Sequence, residues 1–218
     1  FAGKQLKQSD ISNWEGMSKD IDDFRAKYNE EPLWTNSMFG GMPAYQISVV
    51  YPANLVQYIN KVLWLGLPSP ANLLWNLMIG FYFLLIVMKI DQRIAILGSV
   101  GFALSSYFLI YLEAGHNTQA FAIAYMAPVI AGIIMTYRGK WLLGTAVTGF
   151  MIALELYANH LQITYYLIMI ILLLGVAEFV RAYREKTLPY FFKATASLAV
   201  VALLAGCTNI TNLMATEE

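Results

Sequence analysis

Residues 113–140 read EAGHNTQAFAIAYMAPVIAGIIMTYRGK, and this stretch decides the fold. From Ala114 to Tyr137 it carries no Asp, Glu, Lys or Arg. A hydrocarbon core about 30 Å thick needs roughly 20 apolar helical residues to cross it. The run is long enough to span, with a polar turn (Glu113, His116, Asn117) before it and a basic turn (Arg138, Lys140) after it. Residues 62–88, 94–112, 156–177 and 194–216 are equally free of charge, and 141–158 is broken only by Glu155.

Working outward, the expected fold is all-α: a polytopic transmembrane helix bundle of about six spans. These fall at about 70–89, 94–112, 118–137, 141–158, 161–180 and 191–211. The links alternate in charge. Lys89, Arg93, Arg138, Lys140, Arg181, Arg184, Lys186 and Lys193 fall on one side, eight of the 14 basic residues. Glu113, His116, Asn159, His160 and Gln162 fall on the other. The positive-inside rule makes the first side cytoplasmic. Residues 1–60 are then extracytoplasmic, at the same end as both histidines. Two units follow, an extracytoplasmic loop with amphipathic helices (1–65) and the transmembrane bundle (66–218). Gly98, Gly101, Gly132, Gly144 and Gly149 are candidates for close helix approach.

Composition agrees: 58% of residues are hydrophobic and 13% charged, about half the charge of an average soluble chain. A net charge of zero offers no basic field for nucleic acid. A single cysteine, Cys207, excludes an internal disulfide and any multi-cysteine metal site. The chain opens on Phe1 and closes just after a hydrophobic run, so it is expected to be a fragment of a longer membrane protein.

In the outer segment Trp14, Met17, Ile21, Phe24 and Tyr28 recur at helical spacing between charged residues. That predicts an amphipathic helix over about 12–29, capped by Ser12 with Glu15, its apolar face on the membrane or on the bundle. A loop rich in aromatic and polar residues follows, with Trp34, Asn36 and Tyr45 in it and Gly40-Gly41 as its turn. It suits a substrate cleft and a structural plug equally. A second amphipathic helix is expected over 53–65.

Glu155 lies about one turn inside its span and should face the bundle interior. With Glu113, His116 and His160 it forms a set open to three readings. It can be a hydrogen-bonded belt joining helix ends, or a site for an anionic head group contacted by the histidines or outer lysines. It can also be a divalent-metal site with Glu113, His116, Glu155 and His160 as ligands. HEXXH, P-loop, GxSxG and Cys-pair motifs are absent.

Several strings together carry a resemblance: Gln8-Ser9-Asp10-Ile11, Trp14-Glu15-Gly16-Met17, Pro32-Leu33-Trp34-Thr35-Asn36, Gly40-Gly41-Met42-Pro43-Ala44-Tyr45, Glu113-Ala114-Gly115-His116-Asn117 and Glu155 through Tyr166. The chain resembles the YfhO-like bacterial membrane proteins of Bacteroidetes type, over nearly its whole length. These are related to the GT-C integral-membrane glycosyltransferases. That resemblance implies a large first outer loop with a catalytic carboxylate near its start, where Asp10 stands. It implies transfer of a sugar from a polyprenyl-phosphate carrier to a lipid or glycan acceptor of the envelope, on the outer face of the bacterial inner membrane. A divalent metal near the carrier phosphate is a feature of some GT-C members. Asp10 is then expected as the catalytic base. Lys4, Lys7, His116 and His160 would meet the phosphate, and Trp34, Asn36, Tyr45, Asn117, Asn159 and Gln162 would serve binding. The alternative is a non-enzymatic lipid-linked-sugar transporter or a structural envelope membrane protein that uses the same cleft without chemistry.

Overall fold

The computed structural model describes residues 6–48, 54–211 and 214. In chain order these form α1 (Ser9–Tyr28), β1 (Trp34–Thr35), β2 (Met42–Pro43), a 3-10 turn (Ala44–Gln46), α2 (Val56–Leu63) and α3 (Ala71–Val87). Then come α4 (Gln92–Ala103), α5 (Ser106–Ala114), α6 (Asn117–Tyr137), α7 (Trp141–Tyr157), α8 (Leu161–Arg184) and α9 (Leu188–Thr208). Among the described residues the protein is all-α apart from the two-residue antiparallel pair, in which Trp34 opposes Pro43 and Thr35 opposes Met42.

Each expected span is helical, but not each is long enough to cross. By length and composition α6, α8 and α9 qualify, and α4 with α5 makes a fourth if that bent pair is one span. The pair bends by 41° where Ser105 takes an extended conformation. Two adjacent serines, which compete for backbone hydrogen bonds, mark the break. The apolar helices α3 and α7 stop at 17 residues each, roughly 26 Å, short of the hydrocarbon thickness. The loops Lys89 and Asn159, each with positive φ, end them early.

The centre of the bundle is α6, which packs against α7 and α3. Small residues allow this. A Cβ at Gly132 would lie 2.5 Å from Thr148 Oγ1 and 2.9 Å from Thr148 N. Across the same antiparallel interface, a Cβ at Gly144 would run into Thr136. The two Gly-x-x-x-Thr steps thus face each other, glycine against threonine. Each threonine hydroxyl donates back to its own glycine carbonyl, Thr136 at 2.9 Å and Thr148 at 2.8 Å, so neither is left unpaired in the contact. Gly149 likewise meets Val201 of α9, whereas Gly101 faces open space.

The helical hairpins give the bundle two ends. The α5–α6 and α7–α8 turns lie at one, and the α3–α4, α6–α7 and α8–α9 turns at the other, where Lys89, Arg138, Lys140 and Arg181 gather.

The outer segment departs from expectation. α1 begins at Ser9 rather than near residue 12, and its N-cap Gln8 makes no side-chain bond to the helix itself, so no Ser12–Glu15 box forms. Gln8 is instead anchored on the bundle, which starts the helix three residues early. The inward face of α1 is covered by its own following loop. Trp14 Nε1 donates to Ile47 O (3.0 Å), Ser37 Oγ to Met17 O (3.1 Å) and Thr35 Oγ1 to Asp20 Oδ2 (2.8 Å). Ile21 is buried there, while Trp14 and Tyr28 stay exposed. Arg25 ties the loop down by bonds to Glu31 and to Ser48, and the Glu31 hydrogen bond raises its guanidinium above the usual arginine value. α2 rests on the bundle through Val56 and Asn60, with Tyr125 OH donating to Asn60 Oδ1.

Candidate functional site at the arm end

The site is built on the α5–α6 turn. Gly115 closes α5 with φ +99°, its N–H returning to Tyr111 O at 3.0 Å and that of His116 to the same carbonyl at 3.1 Å. This tight reversal leaves a shallow seat into which the start of the arm docks. A Cβ at Gly115 would fall 3.2 Å from Gln8 Cβ and 3.3 Å from Asp10 Cβ. The absent side chain therefore permits the contact. Gln8 Nε2 donates to Leu112 O (2.6 Å) and to Asn117 Oδ1 (3.0 Å), and Asn117 Nδ2 returns a bond to Gln8 Oε1 (3.3 Å). Ser9 Oγ donates to Ala114 O at 3.2 Å.

Docking carries Asp10, in the first turn of α1, onto His116, which caps α6. Nε2 of His116 lies 2.8 Å from Asp10 Oδ2, with the side chains 44% and 52% exposed. The pair is thus accessible from outside the bundle, and Tyr111 meets the imidazole edge-on at 5.3 Å. A carboxylate held by an imidazole can accept a proton and has its orientation fixed by the partner. On α1, Asn13 shares the face of Asp10 one turn on. From Asn13 an open groove of about 600 Å³ runs between Ser12, Gly16 and Met17 on one side and Ser37 and Met38 on the other.

A second polar group lies at the same end, on the α7–α8 turn. Glu155 is 0% exposed, as its position inside the span predicts. Thr164 Oγ1 sits 2.9 Å from Glu155 Oε1 and 3.2 Å from Oε2. His160 caps α8, and its Nδ1 is buried without a hydrogen-bond partner. Asn159, with φ +54°, is exposed at the turn, and Gln162 donates to Tyr166 OH at 2.9 Å.

The structure therefore joins Asp10, His116 and Asn117 in one cluster and Glu155 with the His160 turn in another. Among the described residues no three His, Cys, Asp or Glu side chains gather to hold a metal ion. The four-ligand set of Glu113, His116, Glu155 and His160 does not assemble. His116 is engaged by Asp10, Glu155 turns inward to Thr164, and Glu113 is exposed. Trp34, Asn36 and Tyr45 lie on the loop that packs along α1, with Trp34 against Gly41, and neither Trp34 nor Asn36 bonds to the Asp10–His116 pair. Lys7 is exposed beside the docked Gln8, and Lys4 lies outside the described residues.

Gln8 and Thr164 carry bonds that spacing did not mark. Thr164 had a signal, since it stands as far past the Asn159–His160 turn as Glu155 stands before it, and a hairpin apposes such positions. Gln8 had none within its own neighbourhood, because its partners are more than 100 residues away.

The chain matches no protein-family model, no curated protein and no solved structure.

Proposed function

We propose that the protein is a GT-C-type membrane glycosyltransferase of YfhO-like kind, acting on the outer face of the bacterial inner membrane. In this reading α3 and α7 complete six crossings, the basic end faces the cytoplasm and the arm end faces outward. The donor is a sugar on polyprenyl phosphate and the acceptor a lipid or glycan of the envelope. The observation that carries the reading is the exposed Asp10–His116 pair at 2.8 Å, beside an open groove at the end opposite the basic residues.

Such a transfer needs a base at the acceptor and positive or donor groups for the departing phosphate. Asp10 takes the proton of the acceptor hydroxyl as that oxygen bonds to the anomeric carbon. The anomeric carbon–oxygen bond to the carrier breaks, and the electron pair leaves with the polyprenyl phosphate. His116 holds Asp10 in register, and its imidazole adds a positive charge near the phosphate when protonated. The groove beyond Asn13 has room for the sugar.

The rival reading is a transporter or scaffold that binds the same lipid without chemistry. The separation of the His160 turn from the Asp10 cluster favours it, because a single closed pocket is not formed by these residues. Transfer from a panel of radiolabelled polyprenyl-phosphate hexoses, in membranes carrying the protein, separates the two. Asp10→Asn is expected to lower turnover by roughly 100-fold or more with expression and melting unchanged. Unchanged turnover removes Asp10 from the chemistry, and binding without transfer in the unaltered protein establishes the rival.

A further inference from the structure

At the opposite end of the bundle lies a groove of about 880 Å³ that the transfer reaction does not use. One wall is apolar, with Phe83, Ile86 and Val87 of α3 facing Met135 of α6 and Leu143 of α7. Its rim carries Lys89, Arg138, Lys140 and Arg181 against one acid, Glu185. These cations come from three separate places, the α3–α4 turn, the α6–α7 turn and α8, so the fold, not a local run of basic residues, brings them together.

Two of them are held in place. Arg138 Nη1 donates to Val87 O (3.2 Å), the last residue of α3, and Arg181 Nη2 to Tyr137 O (3.0 Å), the last residue of α6. Cations at helix C-termini are favourable there, and each guanidinium keeps further N–H groups. Arg181 is also paired with Glu178 at 2.7 Å, yet its Nε is buried with no hydrogen-bond partner. Among the described residues Lys89, Arg138 and Lys140 make no ion pair. A buried donor without an acceptor, beside three cations that make no ion pair and outnumber the one acid of the rim, is a place for an anion. The adjoining apolar wall is a place for an acyl chain.

We infer that this groove binds the phosphate of an anionic phospholipid of the cytoplasmic leaflet, with one acyl chain laid along Phe83, Ile86 and Leu143. Basic pockets between transmembrane helices take such head groups on general electrostatic grounds. The inference needs a membrane-embedded bundle with its basic end toward the cytoplasm, and is independent of the transferase reading. The simpler reading, that these charges only set orientation across the membrane, requires no groove and no specificity for where a charge sits.

Native mass spectrometry of the purified protein, released from micelles doped with phosphatidylglycerol or phosphatidylcholine, tests it. One phosphatidylglycerol should be retained per chain and phosphatidylcholine much less. The Lys89→Gln/Lys140→Gln variant leaves both helix-capping arginines in place, and it should lower retention roughly fivefold for each cation removed. An Arg184→Gln/Lys186→Gln variant removes two charges at the same end but outside the groove, and should retain the lipid. Equal retention of the two lipids, equal loss in both variants, or no loss in the first variant would overturn the site. Complete displacement of the lipid by excess inorganic phosphate would assign the groove to a soluble anion and also overturn the proposal. Far-ultraviolet circular dichroism and the size-exclusion profile confirm that each variant is folded before its retention is read.

Discussion

α6 and α8 are both apolar, at 21 and 24 residues, with mean hydropathies of 1.8 and 2.3. Yet 78% of the most apolar window of α6 is buried inside the protein, against 11% for α8. The less hydrophobic helix is the one at the centre. In water this would be paradoxical, because burial follows apolar surface. In a bilayer it is expected, since the lipid is as apolar as leucine and gives no reason to hide it. What selects the central helix is side-chain size. α6 presents Ala120, Ala124, Ala131, Gly132 and Thr136 to its neighbours, whereas α8 shows Leu172, Leu173 and Val176 to the outside.

The strongest way to break this comparison is to enlarge a glycine on each helix. Gly132→Leu puts its side chain into the backbone of Thr148 and Gly144, which a rotamer change cannot relieve. A loss of about 3 kcal/mol or more in unfolding free energy is expected, read by detergent titration in bilayer-like micelles. Gly175→Leu on α8 meets nothing within 4 Å and should stay within about 0.5 kcal/mol. Similar losses at both positions would show that size does not distinguish the two helices.

The same contrast explains what could be read in the sequence. Runs nearly free of charge marked the apolar stretches of α3 to α9, with α4 and α5 read as one, because desolvating a charge is the dominant penalty and leaves a plain gap in composition. Alternating loop charge put Asp10, His116 and His160 at one end, and Glu155 faces inward as its depth requires. The pairing of Asp10 with His116 was not legible. It depends on Gly115 accepting the arm, a contact between positions more than 100 residues apart. The cover on α1 was equally hidden, because an apolar stripe states that something packs on it and not what does. The bend at Ser105 and the short α3 and α7 come from local backbone geometry, which hydropathy averages away.

Polar contacts sharpen the comparison at intermediate size. Asn209, buried at the end of α9, donates through Nδ2 to Ala153 O of α7 at 3.0 Å and accepts from Asn54 Nδ2 at 3.1 Å. This ties α9 and the approach to α2 onto α7 at the arm end. Asn209→Leu removes both bonds and leaves the Asn54 amide without its acceptor. A loss of about 1–2 kcal/mol is expected in the same titration, smaller than at Gly132 because interhelical hydrogen bonds in membranes average well under that ceiling. No measurable change would mean that the small-residue seams hold α9 unaided.

The smallest expected effect is the most discriminating for α8 itself. Leu173 is 72% exposed on a helix whose apolar window is scarcely buried. Were that face covered by protein, Leu173→Ala would leave a cavity and cost about 2–5 kcal/mol. Facing lipid, it leaves no cavity, because acyl chains close over the shorter side chain, and alanine is at least as good a helix former. The expected change is therefore under about 0.5 kcal/mol, and it should be the same at any protein concentration. A concentration-dependent loss would mean that a second copy of the chain, and not lipid, covers α8. The contrast with α6 would then reflect an interface between chains rather than the difference between lipid and protein as surroundings.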